Sequence, residues 1–154
     1  MNSQPYVQCR CELNQLPISG KPLFRTICHC NFCQEFNDRH YGDIVILRQS
    51  DIALPKAPNI TYHSYKRPEI VQRGRCAQCN TPVVEHLRIP LFPQMAFVPV
   101  SAIKGNVKFP EPAMHMFYHR RVKDIDDQIP KYSGYISSEL SFMGRMIKDL
   151  IRTR

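Results

Sequence analysis

The sequence lacks any long hydrophobic run and has few acidic residues. No window approaches the roughly 18 consecutive apolar residues that a membrane-spanning helix requires, so we expect no membrane partner. Residues 1–7 are polar and lack the basic and then apolar segments of a signal peptide. Asp and Glu number only 13, against 21 Lys and Arg. We therefore expect a soluble, cytoplasmic protein with a basic surface.

The size and composition suit one globular domain rather than a disordered chain. The chain has 154 residues, of which 43% are hydrophobic and 22% are charged. Its 13 prolines separate short β-branched or aromatic segments, the clearest at residues 44–47, 60–65, 82–87, 95–100 and 107–109. Short strands separated by frequent turns predict a mostly β fold.

Two helices are expected beside the strands. Near the C-terminus, apolar residues recur at spacings of three and four, with Ser137 or Ser138 available as the N-cap: Leu140, Met143, Ile147, Leu150 and Ile151. We expect this stripe to pack on the core, with self-association, and hence a homo-oligomer, as the alternative. A shorter helix is expected over residues 31–37.

The cysteines carry the strongest chemical signal. All seven lie in three clusters between residues 9 and 79: Cys9 and Cys11; Cys28, Cys30 and Cys33; Cys76 and Cys79. An odd number cannot pair completely, and a reducing cytosol disfavours a disulfide framework. A C-x-C pair on a strand and a C-x-x-C pair on a tight turn can each direct two thiolates at one ion. The clusters therefore indicate metal binding.

The spacing divides the cysteines into four and three. Cys9, Cys11, Cys76 and Cys79 can complete one tetrahedral structural zinc site, which would join the N-terminal strand to the middle of the chain. Free buried thiols or a redox pair are the alternatives for these residues.

The local triple Cys28, Cys30 and Cys33 would hold a second zinc with one position free. Three thiolates make this zinc a weaker Lewis acid than three imidazoles would, but they suit the capture of a soft thiolate. His29, His40 or a partner chain could instead fill the fourth position and leave the site inert.

The ordered cysteine set resembles the glutathione-dependent formaldehyde-activating (GFA) family. Residues 76–82 resemble its C-x-x-C-G-T-P turn, residues 112–117 its P-x-x-H-I-W segment, and residues 126–132 its D-D-G-L-P-x-F ending. The resemblance covers roughly residues 6–132. Asn80 stands where the family commonly has glycine, and Asn tolerates a left-handed backbone. Residues 34–40 lack the small-residue run that the family has there, beside the proposed active site.

The resemblance implies a mostly β, tent-like fold stapled by two zinc ions and followed by the C-terminal helix. Together with the apolar periodicity near the C-terminus, it leads us to expect a zinc-binding domain over residues 1–132 and a helical extension packed on it over residues 133–154. Cys9, Cys11, Cys76 and Cys79 correspond to the structural zinc ligands, and Cys28, Cys30 and Cys33 to the catalytic ones. It also implies a carbon–sulfur lyase that acts on a glutathione or other thiol adduct of a small aldehyde.

Two other functions remain as alternatives. One is a non-catalytic, zinc-stabilised binding module with a basic surface, although we do not expect a nucleic-acid partner; the other is a redox or zinc-buffering protein. Arg73, Arg75 and residues 66–67 are either a solvated basic face or ligands for glutathione carboxylates. His115 and His29 are expected to be packed rather than to ligate a metal.

Overall fold

The computed structural model describes residues 4–54 and 59–153, and it confirms a mostly β fold with 34% strand and 23% helix. Over those residues the strands are β1 (Tyr6–Gln8), β2 (Gln15–Pro17), β3 (Phe24–Cys28), β4 (Gly42–Arg48), β5 (Ile60–His63), β6 (Val71–Cys76), β7 (Pro82–Leu87), β8 (Met95–Pro99), β9 (Ile103–Lys104) and β10 (Pro112–Met116). The α-helices are α1 (Asn31–Asn37) and α2 (Tyr135–Arg152).

The strands form a large sheet and a small one. The large sheet has the order β10-β3-β4-β8-β7-β6-β5, and the small sheet has the order β2-β1-β9. All neighbouring strands are antiparallel except β10 and β3, which are parallel. The parallel pair brings the segment after residue 110 beside the strand that ends at Cys28.

Both faces of the large sheet are covered, which explains why β4 is apolar at successive positions. Val45 and Leu47 lie in one apolar cluster with residues of the small sheet, such as Val7 and Leu16. Ile44 and Ile46 point to the opposite face and lie in a second cluster. This second cluster also contains residues of α2. The two cores therefore lie on opposite sides of one sheet.

Four of the five predicted strands are confirmed, as β4, β5, β7 and β8. The strand predicted over residues 107–109 is wrong. Gly105 has a positive φ of 97° and turns the chain directly after β9. Two prolines, Pro110 and Pro112, follow, and proline cannot donate a hydrogen bond to a sheet. Phe109 packs against the first apolar cluster from an irregular segment.

Both helices are where the sequence predicts them, but α2 begins earlier and buries a different face. Its N-cap is Gly134, whereas Ser137 and Ser138 lie inside the helix. The buried residues are Ser138, Phe142, Met146 and Asp149. Neither described helix has the combination of length and apolar character needed to cross a membrane.

The prediction that the apolar stripe packs on the core is therefore only partly correct. Leu140 is 69% exposed and Ile151 is 68% exposed, and Ile147 is also exposed. Met143 and Leu150 are half-buried against the second cluster. The Phe142 ring fixes this orientation because it packs edge-on against Phe24 and Phe97, with centroid distances of 5.4 and 5.6 Å.

Candidate metal centres and adjoining cavity

Four cysteines meet where the small sheet approaches the end of β6. Cys9 and Cys11 follow β1, Cys76 ends β6, and Cys79 lies in the turn before β7. Their Sγ atoms all lie within 4.8 Å of one another, and the distances from Cys11 to Cys9 and to Cys76 are both 3.6 Å. A tetrahedral zinc with bonds of about 2.3 Å separates its sulfurs by about 3.8 Å. The four-cysteine group therefore has both the chemistry and the approximate spacing for zinc.

Local hydrogen bonds give these two loops their shape. Asn80 has φ 57°, so it adopts the left-handed conformation expected for the residue that replaces glycine. Its N–H donates to the carbonyl of Cys76 across 3.0 Å and closes the turn. On the other loop, the N–H of Asn14 donates to Sγ of Cys9. Each loop thus presents two sulfurs to the same point.

The three remaining cysteines meet at the junction of β3 and α1. Cys28 ends β3, Cys30 is the N-cap of α1, and Cys33 lies in the first turn. The N–H of Cys33 donates to Sγ of Cys30, and the three Sγ atoms lie within 4.8 Å of one another. Among residues 4–54 and 59–153, no histidine or carboxylate joins this group, so neither His29 nor His40 fills a fourth position.

The three neighbouring thiols differ in how readily each loses its proton. Hydrogen bonds from Cys28 and Cys33 lower the pKa of Cys30 to about 3. The pKa values of Cys28 and Cys33 are raised by their interactions with the neighbouring sulfurs and by burial. All three could be thiolates together only beside a cation. A soft cation such as zinc meets this requirement, and three ligands leave a position for an external group.

A cavity of about 390 Å³ adjoins the three-cysteine group. Its walls are formed by one face of the large sheet and by α2, and all three cysteines lie among the lining residues. Most of the lining is apolar: Ile44, Ile46, Ile70, Val71, Leu87, Ile89, Phe97, Met116, Phe117, Phe142 and Met143. The family-like segment at residues 112–117 therefore contributes its last two residues to the cavity.

An ion pair is buried in this apolar lining. Nε of Arg73 lies 2.9 Å from a carboxylate oxygen of Glu85, and the side chains are 9% and 1% exposed. Arg73 also lies over the ring of Tyr65, with a distance of 5.2 Å to the centroid. Burial raises the pKa of Glu85 to about 7, although Arg73 opposes this and the Cys30 thiolate adds to it. Sequence reasoning missed Glu85, whose signal is a lone acid in the apolar strand PVVEHL.

The basic residues near the third cysteine cluster divide between two roles. Arg73 and Lys66 line the cavity, as a ligand for an anionic substrate would have to do. Arg75 instead donates to the carbonyls of Glu35 and Phe36 at the end of α1 and to that of Asn80 in the cysteine turn. Arg75 is therefore neither a solvated basic residue nor part of the cavity.

The histidines considered in the sequence lie behind the three-cysteine group. His29 and His115 are each 1% exposed, and their ring nitrogens Nε2 and Nδ1 are 2.9 Å apart. Nε2 of His115 is 2.9 Å from the carboxylate of Asp127, and that carboxylate also accepts a hydrogen bond from Lys131. Neither histidine lines the cavity. Together these contacts join the two family-like segments after residue 110.

A second, more polar cleft of about 490 Å³ lies beside the four-cysteine group. Cys9 is the cysteine that contacts it, together with charged residues such as Arg10, Glu12 and Lys104. Asn37, Asp38 and Arg39 also line this cleft. The segment at residues 34–40, which departs from the family pattern, is therefore absent from the lining of the three-cysteine cavity.

Comparison with known proteins bears on the fold and on the family of the chain. A crystal structure of a Rhodobacter sphaeroides protein is similar, with a TM-score of 0.50 and 18% identity, over 63% of this chain and 85% of that one. At 18% identity, the similarity shows a shared fold and no more. No curated protein sequence matches the chain. The sequence profile of the family described as "Glutathione-dependent formaldehyde-activating enzyme" matches residues 5–120. The chain therefore belongs to the GFA family.

Proposed function

We propose that the protein is a zinc-dependent carbon–sulfur lyase that acts on a glutathione or other thiol adduct of a small aldehyde. Membership of the GFA family supports thiol chemistry of this general kind. The observation that carries the finer proposal is the position of Cys28, Cys30 and Cys33 in the lining of a cavity that can admit a substrate. A purely structural metal site would need no such cavity.

In this proposal Cys28, Cys30 and Cys33 hold one zinc, and Cys9, Cys11, Cys76 and Cys79 hold the other. A zinc bound to the three-cysteine group would supply an open position that keeps an incoming thiol deprotonated. The guanidinium of Arg73 lies close enough to Cys30 to lower the pKa of that thiol, so it favours negative charge in the same region. The four-cysteine group would have a structural role, because it joins β1 to β6.

The rim of the cavity offers complementary groups for glutathione. Lys66 is an exposed cation at the rim, and its Nζ lies 5.2 Å from the centroid of the Tyr135 ring. Glu139 lines the same cavity from α2 and offers an anion. Glutathione carries both carboxylates and an ammonium group, so these two residues would bind its charged ends.

We also propose the domain division predicted from the sequence. Residues 1–132 would be the zinc-binding domain, and residues 133–154 a helical extension packed on it. The contacts of Phe142 and Met146 with the second apolar cluster support this proposal. The extension would contribute to function because Tyr135 and Phe142 line the cavity.

Metal analysis and turnover of the glutathione adduct of formaldehyde test the proposed function. We expect two zinc ions per chain in the wild type. Cys30→Ser should lose one zinc and turnover, and it should lower the thermal midpoint by less than the loss of a ligand from the four-cysteine group does. Cys11→Ser is the matched control from the four-cysteine group, and it should lower the midpoint. A wild type with two zinc ions and no turnover of any thiol adduct would overturn the proposal.

A further inference from the structure

The interior of the cavity is a poor match for the hydroxymethyl group of the formaldehyde adduct, which is small and hydrated. A hydroxymethyl group occupies about the volume of one or two water molecules, each roughly 30 Å³. The cavity measures about 390 Å³, and its interior is lined chiefly by aliphatic and aromatic side chains. An apolar pocket of this kind binds an apolar group and gains little from a small, hydrated one.

Glu85 provides a polar point within this apolar interior. It lies on the central part of the sheet, where β7 places it opposite Arg73 of β6 and Phe97 of β8. One carboxylate oxygen faces the Arg73 guanidinium. The other, Oε1, is buried and has no hydrogen-bond partner within the described part of the chain. A buried acceptor without a donor is costly, so a hydroxyl group that enters beside Glu85 and donates to this oxygen would remove that cost.

These observations refine the substrate, given the proposed function. We propose that the preferred substrates are hemithioacetals of branched or aromatic apolar aldehydes, whose hydroxyl group donates to Oε1 of Glu85. The sulfur of the adduct then lies toward Cys28, Cys30 and Cys33. The apolar group of the aldehyde occupies the space between Leu87, Phe97 and Met143.

The polar groups at the rim decide which half of the adduct enters the interior. Lys66 is exposed, and Glu139 is only half-buried. The charged ends of a thiol such as glutathione are therefore bound at the rim, where they keep contact with water. The aldehyde carries the group that enters the apolar interior.

Glu85 has a direct part in the bond change. In the lyase direction its carboxylate accepts the hydroxyl proton, the carbon–oxygen bond becomes a carbonyl, and the carbon–sulfur bond breaks. The electron pair of that bond goes to sulfur, which leaves as a thiolate. Glu85 then returns its proton to the thiolate or to water, so no oxidant or reductant is needed. The raised pKa of Glu85, about 7, suits a group that accepts and returns a proton near neutral pH.

The test compares two aldehydes with one thiol. Glutathione is mixed with formaldehyde or with 3-methylbutanal, and saturation-transfer NMR measures how fast the protein exchanges adduct and free aldehyde. We expect kcat/KM for the 3-methylbutanal adduct to exceed that for the hydroxymethyl adduct by at least about tenfold. Each added methylene group of the substrate strengthens its binding in an apolar pocket. Turnover of the hydroxymethyl adduct alone would overturn this inference but leave the proposed function standing. Absence of both would overturn the proposed function itself.

Filling the cavity tests the location of the apolar group. Met143→Phe adds a ring to the lining, and it should reduce the preference for the 3-methylbutanal adduct about tenfold. Leu140→Phe makes a similar change on the exposed face of the same helix, and it should leave the preference unchanged. Equal preferences in the two variants would place the apolar group elsewhere and overturn the inference.

Glu85→Gln tests the proton acceptor. It preserves the size of the side chain and should lower kcat about 100-fold with KM nearly unchanged. The thermal midpoint shows whether the variant is folded; if it is not, Glu85→Asp keeps the carboxylate and should lose only part of kcat. A folded Glu85→Gln protein with wild-type kcat would exclude Glu85 from the reaction.

Discussion

His86 is a buried base on the strand that also carries Glu85. It is 4% exposed; its Nδ1–H donates to Gln49, and its Nε2 accepts from the hydroxyl of Tyr62 across 3.1 Å. Burial lowers its pKa from 6.5 to about 4, and Arg88 adds to this effect. Between these two pH values the unfolded chain binds a proton that the folded protein does not. His86 therefore makes the fold less stable as the pH falls from 6.5 toward 4.

The direction of this pH dependence gives a prediction for a single residue. The free energy of unfolding of the wild type relative to His86→Leu should decrease on acidification, by at most about 1.4 kcal/mol per pH unit. Urea unfolding at several pH values measures this difference. His63→Leu, at an exposed position of β5, is the matched control. A difference between wild type and His86→Leu that is constant from pH 7 to 4 would contradict the assignment.

Two glycines give opposite predictions for the same substitution. A Cβ at Gly74 would lie 2.7 Å from atoms of both Ile60 and Tyr62, and 2.9 Å from the carbonyl oxygen of Val84. Gly74→Ala should therefore cost about 1–3 kcal/mol. Gly144 lies inside α2 with nothing within 4 Å of a Cβ, so Gly144→Ala should stabilise the protein by about 0.5–1 kcal/mol. Urea midpoints that move in the same direction for both variants would contradict this account.

At the scale of elements, α2 shows what periodicity can and cannot predict. The spacing of apolar residues predicts the helix, but it selects Leu140 and Ile151, which are exposed, because α2 has apolar residues around much of its surface. Ser138 is buried instead, since its hydroxyl accepts from the N–H of Phe117 and donates to the carbonyl of Tyr132. A partner such as Phe117, 21 residues away, leaves no mark on local periodicity.

Phe142 and Leu140 provide the test of this orientation. Phe142 is 6% exposed and contacts two aromatic rings, so Phe142→Ala should cost about 3–5 kcal/mol. Leu140→Ala, on the exposed face, should change the stability by no more than about 0.5 kcal/mol. Chemical unfolding measures both. Comparable losses would mean that the helix packs through the face predicted from sequence.

The strands and the cysteine groups show a similar limit. Apolar runs such as residues 44–47 identify buried strands, and cysteine spacing identifies the members of both groups. The strand β6, with sequence VQRGRC, has no apolar run, and it forms because β5 and β7 pair with it on both sides. The ion pair of Arg73 and Glu85 depends on the register of β6 and β7, which periodicity does not give. The sequence therefore predicts the cysteines that line the cavity but not the cavity itself.

At the scale of the whole molecule, one side chain links the two cysteine groups. Arg75 precedes Cys76, and its hydrogen bonds hold the end of the helix that carries Cys33 against the turn that carries Cys79. Under chelator titration of the protein loaded with zinc as proposed above, we expect the ions of both groups to leave the wild type together. Arg75→Gln should separate the release into two phases.

Arg10→Gln is the matched control, because Arg10 donates to the carbonyl of Cys79 and to Thr81 but has no hydrogen bond to α1. It should keep a single phase of release. If the wild type already releases its zinc in two phases, Arg75 does not couple the two groups. In the linked case, filling either group raises the affinity of the other by the same factor, so the two metal sites behave as a single cooperative unit.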